Sequence, residues 1–230
     1  MKKLILLLTA IATTVTTAMT AAQTAQQWRD SLTVLNRMID HRPHSTDLRL
    51  KKAAVNIQLG QWDYAVEEYG RVLAIDPDNP AALYYRAYCL TNQRQYAMAR
   101  SDYEAFLRKI PTHMEARLGL ATVCARMGRV TDARDQYNQM VEMFPDSVVC
   151  YVARAVFETQ QQQYDVALYD WDEAISRQPQ NADYVVSKAD LLLRLERRKE
   201  ALEVLEKALQ RGIPRGVLKE WIDKCQKSTR

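Results

Sequence analysis

The side chains that could do chemistry in this 230-residue chain include three histidines, four cysteines and 28 carboxylates. His41 and His44 flank Pro43, and His113 stands far from both. Neither CxxC nor HExxH occurs, so no ligand spacing of the kind that closes a tetrahedral metal site is present. The six glycines never fall into GxGxxG or the GxxxxGK spacing that cradles phosphate. No GxSxG elbow presents a nucleophilic serine. Carboxylates such as Glu67, Glu68, Glu203 and Glu206 fall at positions expected to face solvent. These residues assemble no catalytic centre, no cofactor site and no metal site. The expectation is a non-enzymatic protein whose function is carried by a surface.

The cysteines allow two readings. Cys89 recurs in step with Val55, Val123, Phe157 and Leu191, and Cys150 with Leu48, Ala82, Ala116 and Tyr184. Both sets are apolar, so buried thiols acting as small hydrophobes are expected. The alternative is a Cys89–Cys124 bridge in an oxidising compartment.

The elements that must carry the surface are set by a period of 34 residues. Pro43, Pro77, Pro111, Pro145 and Pro179 keep that step, as do Ser31, Ala65, Ala99, Ala133, Ala167 and Ala201. So do Ala53, Ala87, Ala121, Ala155 and Ala189. A fixed period of this length marks stacked copies of one supersecondary unit. With Thr46 as position 1, position 24 holds Tyr69, Tyr103, Tyr137, Trp171 and Leu205. Position 17 holds Trp62, Tyr96, Val130, Tyr164 and Arg198. Small-then-bulky columns suit two antiparallel helices in close contact, with alanine letting the backbones approach. Ala65, Tyr69 and Val72 share one helical face. Ser45, Asn79, Ser147 and Asn181 follow the prolines as N-caps, with Thr112 expected to cap in place of His113. Gly60 and Gly128 suit a left-handed turn between the two helices; Arg94, Gln162 and Glu196 replace them elsewhere. Phe106 and Met140 are bulky for their column and predict locally splayed hairpins.

These columns resemble the tetratricopeptide repeat family: an aromatic at position 17, Ala at 20, an aromatic at 24 and Pro at 32, over residues 27–213. The resemblance implies an all-α, right-handed α-solenoid of about five and a half helical hairpins. The expected segments are a half repeat at 23–45, five repeats at 46–79, 80–113, 114–147, 148–181 and 182–213, and a C-terminal capping helix at 214–230. In that family the first helices of the hairpins line a concave groove. The resemblance therefore implies a protein- or peptide-binding row at Leu50, Tyr84, Tyr88, Asn92, Leu118, Thr122, Arg126 and Val152. Tyr84 and Tyr88, one turn apart, are its most concentrated patch. The competing reading is that the apolar members only support packing between repeats. Some members clamp a C-terminal carboxylate with Lys and Asn on these helices. Leu50, Ala54, Glu115 and Gly119 stand at the matching positions, so that clamp is not expected.

The two ends read differently. Val217, Leu218, Trp221, Ile222 and Cys225 form an amphipathic stripe suited to covering the last apolar face of a stack. At the other end, Lys2-Lys3, the apolar run from Leu4 and the Thr/Ala-rich stretch to Ala22 describe a secretory signal peptide over 1–22. Cleavage is expected before Gln23 and export to a bacterial periplasm. The alternative is an uncleaved inner-membrane anchor through residues 4–22. The full chain carries a net charge of +4. Losing Lys2 and Lys3 with the leader lowers this further, too weak a bias for nucleic acid as a partner. The reading is an interaction scaffold or adaptor of the bacterial cell envelope, the alternative a permanent structural subunit of an envelope assembly.

Overall fold

The computed structural model describes residues 24–226. The expected leader at 1–22 lies outside the described residues, as do positions 227–230. The described residues are helical, without a strand among them. The chain divides into two compact units, Met1–Gly128 and Arg129–Arg230.

The first unit contains α1 (24–41), α2 (Thr46–Gln58), α3 (Trp62–Ile75), α4 (Pro80–Asn92), α5 (Tyr96–Lys109) and α6 (Met114–Arg126). From α2 onward each helix packs on the next, and α4 also touches both α2 and α6. The second unit contains α7 (Val130–Met143), α8 (Val148–Gln160), α9 (Tyr164–Arg177), α10 (Ala182–Arg194), α11 (Arg198–Gln210) and α12 (Arg215–Gln226). Its helices likewise pack in sequence order, with α12 lying on both α10 and α11.

Local chemistry explains the boundaries. Ser45 Oγ accepts from the Leu48 amide at 3.4 Å and Asn79 Oδ1 from the Ala82 amide at 3.0 Å, with Pro80 opening α4 where its missing N–H is harmless. At α6 the cap is His113 itself, whose Nδ1 accepts from the Ala116 amide at 3.1 Å. This corrects the expectation that Thr112 would serve: a neutral imidazole nitrogen is as usable an acceptor as a hydroxyl. Between the helices of each hairpin the chain turns through the left-handed region. Gly60 and Gly128 do so at φ 69° and 72°, and Arg94, Gln162 and Glu196 at 60°. The non-glycine residues thus keep the same turn and bear its steric cost.

Packing follows the columns. Ala53, Ala65, Ala87, Ala99 and Ala121 are fully buried in the first unit, and Ala133, Ala155, Ala167, Ala189 and Ala201 in the second. Tyr69 and Tyr103, then Tyr137, Trp171 and Leu205, are buried beside them. Phe106 does not splay its hairpin. It is buried, and α4 packs on α5 as extensively as α2 on α3. At Gly119 a Cβ would meet Tyr103 Cζ at 2.5 Å, so the absence of a side chain on α6 is what lets the α5 ring in. In the second unit α12 buries Leu218 and Ile222. Trp221 packs partly against the same core, its ring 3.8 Å from Lys224 Nζ, whereas Val217 is exposed, so the capping stripe is narrower than the sequence suggested.

All four cysteines are free thiols, and Cys89, Cys124 and Cys150 are buried; the Cys89–Cys124 bridge is not formed. Burial pushes the Cys89 thiol up to about 12, which keeps it protonated and inert.

Candidate functional site

The proposed row divides between the two units. Leu50 lies on α2, Tyr84, Tyr88 and Asn92 on α4, and Leu118, Thr122 and Arg126 on α6, all in the first unit. Val152 lies on α8 of the second unit, where it packs against that unit's core.

Within the first unit the residues differ in what they have to spare. Leu50 and Leu118 are half-buried. The Thr122 hydroxyl is spent on the Leu118 carbonyl at 2.8 Å, and the Asn92 amide donates to the Tyr88 carbonyl at 2.8 Å. Arg126, in the last turn of α6, is exposed.

The two tyrosines part company. The Tyr84 ring centroid lies 5.4 Å from Phe106, 6.2 Å from Tyr103 and 5.1 Å from the His113 ring. Burial pushes its hydroxyl above the ordinary tyrosine range. Its ring therefore belongs to the aromatic packing, the competing reading for the apolar members of this row. Tyr88, one turn later, is 42% exposed. Its ring meets Trp62 edge-on at 5.9 Å and 64°. This leaves Tyr88 as a large amphipathic surface held in place by a neighbour, at little rotamer entropy.

Beside it is a notch of about 400 Å³ at the tips of the first two hairpins, lined by Gly60, Gln61, Trp62, Asp63, Tyr64, Gln93 and Gln95. The Gln93 amide donates to Asp63 Oδ1 at 2.6 Å, tying one hairpin tip to the next. Sequence reasoning placed no site there because its residues come from two turns whose approach depends on how the hairpins stack.

The charged residues hold the largest surprise. Glu68, expected in solvent, is only 3% exposed. Arg49 Nη1 donates to its Oε2 at 2.8 Å, and Lys52 Nζ lies 2.9 Å from its Oε1. Burial alone would raise its pKa, but the hydrogen bonds from Lys52 and Arg49 outweigh that and hold the carboxyl below its ordinary 4.5. The arrangement recurs. Arg86 forks onto Asp102 with two bonds of 2.7 Å. Arg154 forks onto the fully buried Asp170 at 2.9 and 2.7 Å and reaches Asn138 on α7 at 3.0 Å. Burial pushes the Asp170 carboxyl above its ordinary range even against the Arg154 hydrogen bonds. These are positions 7 and 23 of one hairpin, and the opposite charges sixteen residues apart were a readable signal. A different pair joins neighbouring hairpins, Arg134 forking onto buried Glu158 at 2.7 and 2.9 Å. Three arginines also close the proline turns: Arg49, Arg117 and Arg177 donate to the carbonyls of Pro43, Pro111 and Pro145 at 2.7, 2.7 and 2.9 Å. These forks and turn-closing bonds engage the buried charges within the stack as structure. Among the described residues no group of three or more His, Cys, Asp or Glu is arranged to hold a metal ion.

A stack of helical hairpins with this surface defines a class of repeat protein that presents extended faces for binding other proteins. The family comparisons place it by sequence. A tetratricopeptide repeat model matches residues 90–148 and 158–215, and a TPR repeat model matches 55–93. The chain belongs to the tetratricopeptide repeat family, and its fold is the all-α solenoid of that family.

Among curated proteins it is 20% identical to the DnaJ homolog subfamily C member 7 homolog of Dictyostelium discoideum, over 79% of this chain and 43% of that one. It is 23% identical to the human mitochondrial import receptor subunit TOM70, over 56% of this chain and 22% of that one. The chain spans less than half the length of these relatives. Among solved structures, MamA superposes with a TM-score of 0.65 at 17% identity, covering 80% of this chain and 97% of that one. YrrB, described as a TPR protein with an unusual peptide-binding site, superposes at 0.62 with 18% identity, over 81% and 96%. A tetratricopeptide repeat protein from Parabacteroides merdae superposes at 0.60 with 19% identity, over 87% and 78%.

Proposed function

We propose that this protein is a non-enzymatic adaptor of the bacterial cell envelope, exported by a leader at residues 1–22, that holds a protein or peptide partner on the first-helix face of its first unit. The observation that carries the reading is Tyr88, a 42% exposed ring fixed edge-on by Trp62 on a helix packed between two other first helices. Such a ring buries a large area on binding for little entropy, the property of interface anchors. Arg126 supplies a charged margin at the end of α6. Tyr84 acts beneath the surface by fixing α4 against α5.

The test is site-specific photocrosslinking in envelope fractions with a benzoyl-phenylalanine placed at position 88 and, as a control, at Asp78 in the loop between α3 and α4. A discrete product from position 88, absent from position 78, supports the reading. Loss of partner capture by roughly tenfold in Tyr88→Ala, with helicity unchanged, accords with an anchor contributing at least about 1.4 kcal/mol. Capture that is indifferent to Tyr88→Ala overturns the assignment of this face.

A further inference from the structure

Helix α1 is a second helix whose hairpin has no first helix among the described residues. Positions 14–16, where the complete hairpins turn, fall at 25–27, and these are helical, so no such turn precedes it. In the repeat frame Ser31, Leu35 and Met38 take positions 20, 24 and 27. Those positions are buried in every complete hairpin, as Ala65, Tyr69 and Val72 are in the first. On α1 they are not sealed. Ser31 and Leu35 are half-buried, Met38 is 36% exposed, and Val34 beside it is 54% exposed. The other flank of α1 is occupied: Ile39 is buried, and Leu32 and Asn36 face residues of α2 and α3. Ser31 keeps the small residue that lets a helix backbone approach, and its hydroxyl is already spent on the Gln27 carbonyl at 2.9 Å.

The pattern along this face says what covers it. Gln27, Ser31, Val34 and Met38 follow one another at steps of four, three and four, the seam of a two-helix contact. Asp30 and Arg37 lie along one edge of the seam, each one residue before a seam residue. Trp28 and Leu35 lie along the other edge. Laid antiparallel on itself, with Ser31 opposite Val34 of a second copy, the helix brings each Asp30 across from the other copy's Arg37. On the far edge it brings Trp28 across from Leu35. A parallel pairing would instead set the charges against the apolar edge. A two-fold contact needs a patch complementary to itself, and the antiparallel arrangement supplies one. The charges are free to take part. Arg37 makes no hydrogen bond or ion pair among the described residues, and Asp30 accepts from Gln26 of its own helix at 2.9 Å. At 24–41 the helix is about 27 Å long. One such helix per copy makes a small interface, so a Kd on the order of 10 µM is expected.

We propose that α1 is a self-association surface, through which two copies of this chain pair antiparallel along Ser31, Val34 and Met38, with Asp30 of each copy against Arg37 of the other. The inference is independent of the adaptor reading, which concerns α4. Pairing would give the scaffold two copies of the Tyr88 face.

The test is sedimentation velocity on the protein as isolated from envelope fractions, over about 1–200 µM. The expected result is a monomer–dimer equilibrium that Val34→Asp abolishes. Val34 is exposed in the monomer, so this variant should keep its helicity, which circular dichroism checks. Asp30→Arg and Arg37→Asp should each weaken pairing by at least about fivefold, as two like-charge contacts replace two ion pairs. Mixing these two variants should restore association to within about twofold of wild type, because every charge then meets its opposite across the contact. The double change Asp30→Arg plus Arg37→Asp should do the same. A monomer at every concentration overturns the proposal, whether the face is then left to residues 1–22 or to a different protein. A dimer indifferent to Val34→Asp overturns it by placing the contact elsewhere. Single variants that do not recover on mixing overturn it by excluding the antiparallel pairing.

Discussion

Burying an ion pair leaves each partner dependent on the other, and Arg154 shows how far that goes. Its guanidinium is the fork that satisfies the fully buried Asp170. Arg154→Met should lower stability by about 3–5 kcal/mol, read from urea unfolding midpoints, because an uncompensated buried carboxylate remains. Adding Asp170→Val, the residue type that Val204 places at this position in the fifth repeat, should recover most of the loss. Glu68 gives the matching pH signature. Its pKa is depressed in the folded state, so its stabilisation is present above the ordinary 4.5 and is lost as pH falls from there through the folded value. Glu68→Gln should therefore flatten the acid limb of a Tm-against-pH curve below that point; an unchanged slope would show that the Arg49 and Lys52 contacts do not set it. Arg94 makes the opposite case. It holds φ at 60°, where Gly60 and Gly128 stand in other turns. Arg94→Gly should raise the unfolding midpoint by an amount worth about 0.5–1 kcal/mol, relief of the left-handed strain exceeding the added freedom of the unfolded chain.

Between helices, tolerance is set by how closely backbones approach. Ala99 is fully buried in the α4–α5 hairpin. Ala99→Leu should lose about 1–3 kcal/mol or more by overpacking, while Ala99→Ser loses far less; equal denaturation midpoints would show a loose crossing. Gly119→Ala should act on the α5–α6 contact. The new methyl would enter space held by Tyr103, whose ring is buried and backed by Tyr84, so thermal stability should fall although alanine favours helix. A loss of the near-ultraviolet tyrosine signal would locate the damage at that ring. At the other end of the chain, α12 serves as a lid: it covers the second unit's core with Leu218 and Ile222 and leaves Val217 outside.

For the whole molecule, the two compact units give a division of labour. The first carries Tyr88 and the hairpin-tip notch, the second the α12 lid, and buried arginine–carboxylate forks occur in both. No described helix is long and apolar enough to cross a membrane. The export proposal predicts that native material begins at Gln23, and an intact mass that retains Met1 would replace the cleaved leader with an anchor.

The 34-residue step determined the hairpin, its turns and its interior, because Ala and aromatic columns meet within one repeat and every copy restates them. Five in-phase copies made the fold readable from residues such as Ala99 and Tyr103 without any knowledge of distant contacts. The fate of individual polar and amphipathic groups was another matter. Glu68 and Glu67 are neighbours in sequence, yet one is sealed under Arg49 and Lys52 and the other is exposed. Tyr84 and Tyr88 share a face by spacing, yet one packs on Phe106 and the other stands in solvent. In each case the deciding neighbour comes from another helix, and periodicity records which face a residue is on without recording what that face meets. Stacking decides that, because burial and hydrogen bonding depend on the side chains brought together across the interface, and only the tertiary structure holds them there.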